Sequence, residues 1–525
     1  MSEIYTENVS IFVKYNDMYD DNATLENIIE GNVNELTLQI ISFLSFGQGQ
    51  ADFFREWFIM NSKLNESSYN KLYGTKAFSR LVMLTTWEKI FSHFSKKRYK
   101  IYTKEYCIYM MNMFIHKMLA RICDYHDERC ENIYSEFIKI LFNSERDKYI
   151  AKMYRAIKIF IEDHDIDKYN NLFLYKYNVD VKEYINVVYF IIKEFTSMQD
   201  RIGSGECNIY EWGISSQDIL NKLNIDIDKI DSILRMISFS YDEWILFLAN
   251  NPSQKERFYF FRDKPLFAID KNIYIPIDGR FLEELLFDTL RRMYEKLETK
   301  SNFSRTFGKS FERYILSLIN EFCFYSKQHT YMGEFEYGPE PLRKKSPDGF
   351  IISEDGIVVI EVKSSKVFDE VIIGDGNCNC LYKNIYSLFD APYEQMIHSI
   401  KDIEKSCHEL IKKEIEKIYI IVTFSNMPLM LIENNDTNKQ YISNEKNSFS
   451  VMAFEMLLAA SEVSGSTCFH ILKEYREYPH KITAKNFFTR KFVENDGDYN
   501  GKIFQNMSEY SEKFHQDYRR NNSNS

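Results

Sequence analysis

The sequence predicts a multidomain protein of mixed α+β and α/β class, with a mainly helical N-terminal region followed by a core of order αβββαβ. Three observations predict it. Apolar residues recur at helical spacing from about residue 24 to 200, the period changes near Arg257, and short apolar strands alternate with helices between Phe303 and Ser425. At 525 residues the chain exceeds one domain, since domains average about 150 residues. The expected division is 1–250 helical, regulatory or recognising; 251–302 a strand-strand-helix bridge; 303–430 the αβββαβ domain; and 431–525 a helical extension.

In the helical region the spacing of Leu81, Leu84, Trp87, Ile90, Phe91 and Phe94 marks one buried face. Similar stripes run through residues 108–122, 135–142, 149–161 and 181–195, with the polar break EDHDIDKYNN between the last two. Residues 213–238 read as two short amphipathic helices, Ser215 or Ser216 capping the first and an Asn-Ile-Asp turn preceding the second. That pattern fits either a packing hairpin or a helix-turn-helix on DNA. Asp228 and Asp231 on the second helix favour the hairpin.

From Arg257 the stretch RFYFFRDKPLFAIDKNIYIP reads as two strands joined at IDKN, with a helix starting near Arg280. Beyond it come a helix from Phe303 to about Phe322 and a strand within residues 322–338. Two strands around PDGFII and IVVIEVK follow, then a helix from about Pro392 to Glu416 and the strand KIYIIVTFS. One clear helix remains around residues 448–462, and the polar tail YRRNNSNS is expected to be disordered.

Composition narrows the function classes. The chain is 45% hydrophobic and 27% charged, with 18 Gly and 9 Pro, as a folded protein should be. A net charge of −11 argues against coating nucleic acid through global positive charge, while leaving room for a local basic groove helped by a divalent cation. The start MSEIYTENVS has neither a basic nor an apolar leader region, and VVYFII at Val187–Ile192 is too short to cross a bilayer. A cytoplasmic protein with no membrane segment is therefore expected. Nine scattered cysteines suit reduced thiols, and the pair Cys378 and Cys380 lacks the second pair a zinc site needs.

The chemistry concentrates in KKSPDGFIISEDGIVVIEVKSSK, residues 344–366. Charges on apolar strands cost several kcal/mol unless paired, roughly. Alternation along β-structure puts Glu361 and Lys363 on one face, and pairing through the SEDG turn would bring Asp348 beside them. Two adjacent carboxylates repel each other, and a hard divalent cation with oxygen ligands turns that repulsion into coordination. Asp348, Glu361 and the Val362 carbonyl are the candidate ligands. Alone, E-x-K is usually a cross-strand ion pair and P-D a turn.

Pro347-Asp348 and Glu361-Val362-Lys363 together resemble the PD-(D/E)XK nuclease superfamily, over about residues 303–425. The resemblance implies a restriction-endonuclease-like αβββαβ core with a central mixed sheet, and a Mg²⁺-dependent nuclease, with Mn²⁺ as a substitute. In it Asp348 and Glu361 bind metal and Lys363 assists the attacking water. The Gly308-Lys-Ser-Phe-Glu312 start of the first helix is similar to branches whose helix glutamate completes the site. Gln395 matches a helix glutamine of other branches, without the tyrosine that follows it there. Arg343, Lys344, Lys345 and Lys366, and with them Lys309, are candidates to bind substrate phosphates, with a solvated basic loop as the equal alternative.

The resemblance further implies DNA as the partner and restriction or anti-phage defence as the setting. A partner protein or homo-oligomer stays open for the helical region. An RNA nuclease, or a non-catalytic module that keeps the fold, are the alternatives.

Overall fold

The structure is a computed structural model that describes residues 23–29, 33–46, 80–93, 114–115, 117–122, 149–250, 254–270, 272–298, 300–364, 386–405, 411–424, 447–478, 483–496 and 501–523. Two units interleave along the chain. The first contains residues 1–152, 173–293 and 515–525, and the second 153–172 and 294–514. The described residues 447–478, 483–496 and 501–514, part of the extension expected over 431–525, thus group with the segment that precedes them.

In the first unit, helices α1 (Glu35–Phe46), α2 (Arg80–His93) and α3 (Val181–Gly203) carry the apolar stripes. Asp180 caps α3, accepting from the Lys182 N–H at 2.7 Å while Glu183 returns a bond to the Asp180 N–H at 3.0 Å. Strand β1 (Ile214–Ser215) leads into α4 (Ser216–Leu223), and α5 (Ile227–Ile237) leads into β2 (Ser238–Phe239). Ser215 is the cap of α4, and Asn224 ends it in the left-handed region at φ 51°. Asn224 thereby provides the turn expected from the sequence. On α5 the exposed side chains are Ile227, Asp228, Asp231 and Arg235, while Lys229 is held by Glu183. A face of that sign repels phosphates, so the hairpin reading stands.

Arg257–Phe261, expected as a strand, is helical. Helix α6 (Tyr241–Asn250) is followed by α7 (Gln254–Asp263), where Phe261 stacks on Trp244 with ring centroids 4.7 Å apart. Aromatic residues favour strands, but packing overrides that weak preference. The hairpin does form at IDKN, as β3 (Leu266–Asp270) and β4 (Ile273–Pro276). Together the four strands make a small sheet of order β1-β4-β3-β2. Helix α8 (Gly279–Glu284) closes the segment. Its cap Asp278 accepts from the Phe281 N–H and takes a two-pronged bond from Arg80 at 2.6 and 2.7 Å.

In the second unit the long helix α9 (Lys300–Tyr325) precedes β5 (Thr330–Gly333), a ribbon of β6 (Glu336–Tyr337) and β7 (Lys344–Lys345), then β8 (Gly349–Ile352) and β9 (Ile357–Lys363). Helix α10 (Ala391–Lys405), β10 (Lys417–Thr423), β11 (Ser448–Ser450), α11 (Val451–Ser464) and α12 (Cys468–Glu477) follow. The expected helix from Pro392 to Glu416 thus ends at Lys405, and residues 411–416 lie outside it.

The five-stranded sheet has the order β11-β10-β9-β8-β5. It is mixed. Strand β9 runs parallel to β10 and antiparallel to β8, and β8 is antiparallel to β5. One face, formed by Phe350, Ile357, Val359 and Ile421, packs with Met396, Ile400 and Ile403 of α10. Gly349 points the other way, toward α9, where an added Cβ would lie 3.0 Å from Leu316 Cδ2.

Tyr518–Ser523 is a second correction. Helix Lys502–Ser523 runs through most of the tail expected to be disordered. Its buried positions Ile503, Met507, Ser511 and His515 recur every fourth residue, a stripe half polar and so hidden from a search for apolar spacing. Residues 135–142, Lys366, Asp375, Cys378 and Cys380 lie outside the described residues. Among the described residues no helix is long and apolar enough to cross a membrane.

Candidate active site

Sheet register assembles the site. Gly349 pairs with Ile360 across β8 and β9, so the next residue, Asp348, stands opposite Glu361. Glu334 follows the last residue of β5, and its charge bears on Asp348 as that of Asp348 bears on Glu361. Alternation puts Glu361 on the face of Phe350 and Val359. Glu334, Asp348 and Glu361 thus form a row of carboxylates in which each bears on the next.

Hydrogen bonds fix two members of the row. The Val362 N–H donates to Asp348 Oδ2 at 2.7 Å, and Lys363 Nζ donates to Glu361 Oε1 at 2.6 Å. The structure thus brings together Asp348, Glu361 and Lys363 as the sequence suggested, and engages Val362 through its N–H. The Glu361 side chain is 4% exposed and that of Lys363 30%, so the ammonium is the part that solvent reaches.

Helix α9 adds the fourth carboxylate. At Gly308 an added Cβ would meet Ser364 Oγ at 3.2 Å, so the glycine lets the helix approach the end of β9. Glu312 lies one turn further on the same face. Its carboxyl is half-buried and pushed up by that burial, then by the charges of Asp348 and Glu334.

Burial pushes Asp348 up as well, opposed by the Val362 bond and the Lys363 charge. Glu361 is pushed up to about 7, first by burial and next by the Asp348 charge, with Lys363 opposing. Four carboxylates, Glu312, Glu334, Asp348 and Glu361, face two ammoniums, Lys345 and Lys363, in these mutual interactions. The carboxylates outnumber the ammoniums, a crowding that a divalent cation would relieve. Among the described residues no three His, Cys, Asp or Glu side chains stand ready as a metal cage. Mg²⁺ does not require one, since it commonly takes one or two carboxylates and keeps several waters.

The remaining expected residues sit around this centre. Lys345 bonds Glu334 at 2.7 Å, Lys344 bonds Asp402 at 2.9 Å, and Arg343 bonds Glu340 at 2.7 Å. Among the described residues these phosphate-binding candidates are therefore already paired with carboxylates. Gln395 and Lys309 are exposed on α10 and α9. Sequence reading missed Glu334, Ser346 and Ser364. Glu334 lies just past the end of β5, where no strand period reaches it. Ser346, whose hydroxyl accepts from the Phe335 N–H at 2.9 Å, carried no signal.

Residues 308–425 match the family model of the nuclease-related domain, NERD, the same segment that resembles the PD-(D/E)XK superfamily. No curated protein and no solved structure matches the chain.

Proposed function

We propose that this chain is a divalent-metal-dependent DNA endonuclease whose catalytic part is the nuclease-related segment, built on a restriction-endonuclease-like core. The observation that carries the proposal is the buried Glu361 carboxylate, with the Lys363 ammonium held on it and the partly buried carboxylates of Asp348 and Glu312 crowding it. An isolated structural ion pair would have no such neighbours. Carboxylates crowded around a buried one cost stability unless a cation relieves them, and a chain keeps such a cost where it serves chemistry.

Asp348, Glu361 and the Val362 carbonyl would hold Mg²⁺ or Mn²⁺, with Glu312 beside them. The ion would supply an activated water at neutral pH and stabilise charge on the phosphoryl oxygens. Lys363, anchored on Glu361 yet reached by solvent, would orient that water and steady the developing charge. The Val362 N–H holds Asp348 in place from the strand interior.

The test is direct. The full chain is incubated with supercoiled plasmid, linear duplex and RNA, with Mg²⁺, with Mn²⁺ and with chelator, beside Lys363→Ala. Metal-dependent opening of the circle, slowed on the order of 10²-fold in the variant, supports the reading. Cutting by Lys363→Ala at the wild-type rate refutes the site. Cleavage of RNA alone would transfer the same chemistry to the other nucleic acid. The setting in restriction or anti-phage defence rests on the resemblance alone, and phage plating on cells carrying the wild type or Lys363→Ala tests it.

A further inference from the structure

The ribbon of β6 and β7 lies between β5 and the candidate site in the chain, and the turn that joins its strands holds an apolar side chain in water. Leu342 is 75% exposed. A lone exposed leucine is ordinary on a protein surface, but this one is mounted with care. Glu336 pairs with Lys345 and Tyr337 with Lys344, making a two-stranded arm. At its base the Phe335 N–H donates to Ser346 Oγ and the Ser346 N–H donates to the Phe335 carbonyl, both at 2.9 Å. Phe335 and Tyr337 also pack on the core beneath α10. The arm is thus fixed to Pro347 and Asp348.

The tip is stiff as well. Gly338 turns the chain in the left-handed region at φ +93°, and the Leu342 N–H closes on the Pro339 carbonyl at 2.9 Å. Pro339 and Pro341 restrict φ on both sides of Glu340. Arg343, Lys344 and Lys345 follow Leu342 directly, with side chains 51%, 63% and 68% exposed. Their carboxylate partners leave the arm with no net positive charge. Exposed pairs of this kind are worth about 0–1 kcal/mol, so phosphate oxygens can replace the carboxylates.

We propose that this arm enters a groove of duplex DNA and inserts Leu342 between two base pairs, with Arg343, Lys344 and Lys345 taking the flanking phosphates. The inference rests on the nuclease reading and names the form of its substrate as a duplex unstacked beside the cut. A two-stranded ribbon is narrow enough for a groove, and Leu and Pro are side chains used as wedges between base steps. Asp348 lies six positions after Leu342, a reach of about 20 Å at most at roughly 3.3 Å per residue. The opened step would lie within about six base pairs of the phosphate under attack, at roughly 3.4 Å per pair.

The experiment uses the full chain carrying Lys363→Ala, a short duplex containing 2-aminopurine, and Ca²⁺ in place of Mg²⁺. Anisotropy reads binding and 2-aminopurine fluorescence reads unstacking. Binding should raise the fluorescence about two-fold or more, as opening a base step requires. Adding Leu342→Ala should abolish that rise while Kd stays within about three-fold, and Leu342→Met should restore it. The proposal is overturned by absence of duplex binding, by binding without a rise, or by an equal rise in Leu342→Ala. These results are separable from failure of the site, which is read from cutting by Lys363→Ala in Mg²⁺.

Discussion

Replacing Glu361 with glutamine tests the electrostatics of the site without any substrate. Glu361 is pushed up from 4.5 to about 7. The folded state therefore holds this proton more tightly than the unfolded chain does. The stability that goes with the raised value is fully present below about 4.5 and lost as pH rises to about 7. At 1.36 kcal/mol per pH unit the loss amounts to about 3 kcal/mol, an upper bound because Asp348 shares in it. Glutamine keeps the shape and can still accept from Lys363, but carries no charge.

In chelator at pH 8 the variant should be more stable than wild type by up to about 3 kcal/mol, and at pH 5 by under about 1 kcal/mol. The tryptophans cannot report this, because all four, Trp57, Trp87, Trp212 and Trp244, fall outside residues 153–172 and 294–514 of the second unit. Hydrogen exchange of a peptide covering Ile357–Lys363 can. The ratio of variant to wild-type protection at each pH cancels the intrinsic rate, and should reach about 10²-fold at pH 8. Added Mg²⁺ should then favour wild type, by about 1.4 kcal/mol at ten times its Kd. A ratio unchanged between pH 5 and pH 8 would refute the claim that a buried charge is being carried.

Two further substitutions probe close approaches. Gly308→Ala would press on Ser364 Oγ at 3.2 Å and should slow plasmid cutting about ten-fold by shifting Glu312, with Ser364→Ala restoring most of the rate in the double variant. Gly279→Ala in the first unit would place a Cβ 2.1 Å from the Phe46 carbonyl oxygen. It should cost about 1–3 kcal/mol or more of that unit's stability, measured by tryptophan fluorescence in urea, because backbone rather than a flexible side chain must move.

How much was legible in the sequence follows from which signals are local. The cap at Ser215, the IDKN hairpin and the apolar stripe at 181–195 depend on residues within one or two turns, and they emerged at their expected places. Alternation along IVVIEVK put Glu361 and Lys363 on one face, and the structure joins them by a hydrogen bond. Where the reading failed, a long-range contact decided. Arg257–Phe261 looks like a strand until Trp244 is found stacked on Phe261. Helix Lys502–Ser523 is carried by a stripe that includes Ser511 and His515, which no hydrophobic period reveals. Glu334 sits just past β5, where the pairing changes from Gly333 opposite Gly349 to Phe335 bonded with Ser346, an irregularity that no local pattern reveals.

The neighbourhood of Glu334 also decides what Lys345 does. A lysine near the P-D pair looks like a phosphate contact, and on an isolated strand nothing would distinguish it from Lys344. Glu334, just past the end of β5, bears on Asp348 and takes the Lys345 ammonium at 2.7 Å. Lys345 then lowers the cost of ionising both Glu312 and Asp348. Moving that ammonium to a phosphate would give up part of this relief, just when the phosphate brings a further negative charge. The two demands are met together only if a divalent cation enters with the substrate. The same charge balance that supports a metal therefore ties its binding to that of the nucleic acid, and each should tighten the other by the same factor.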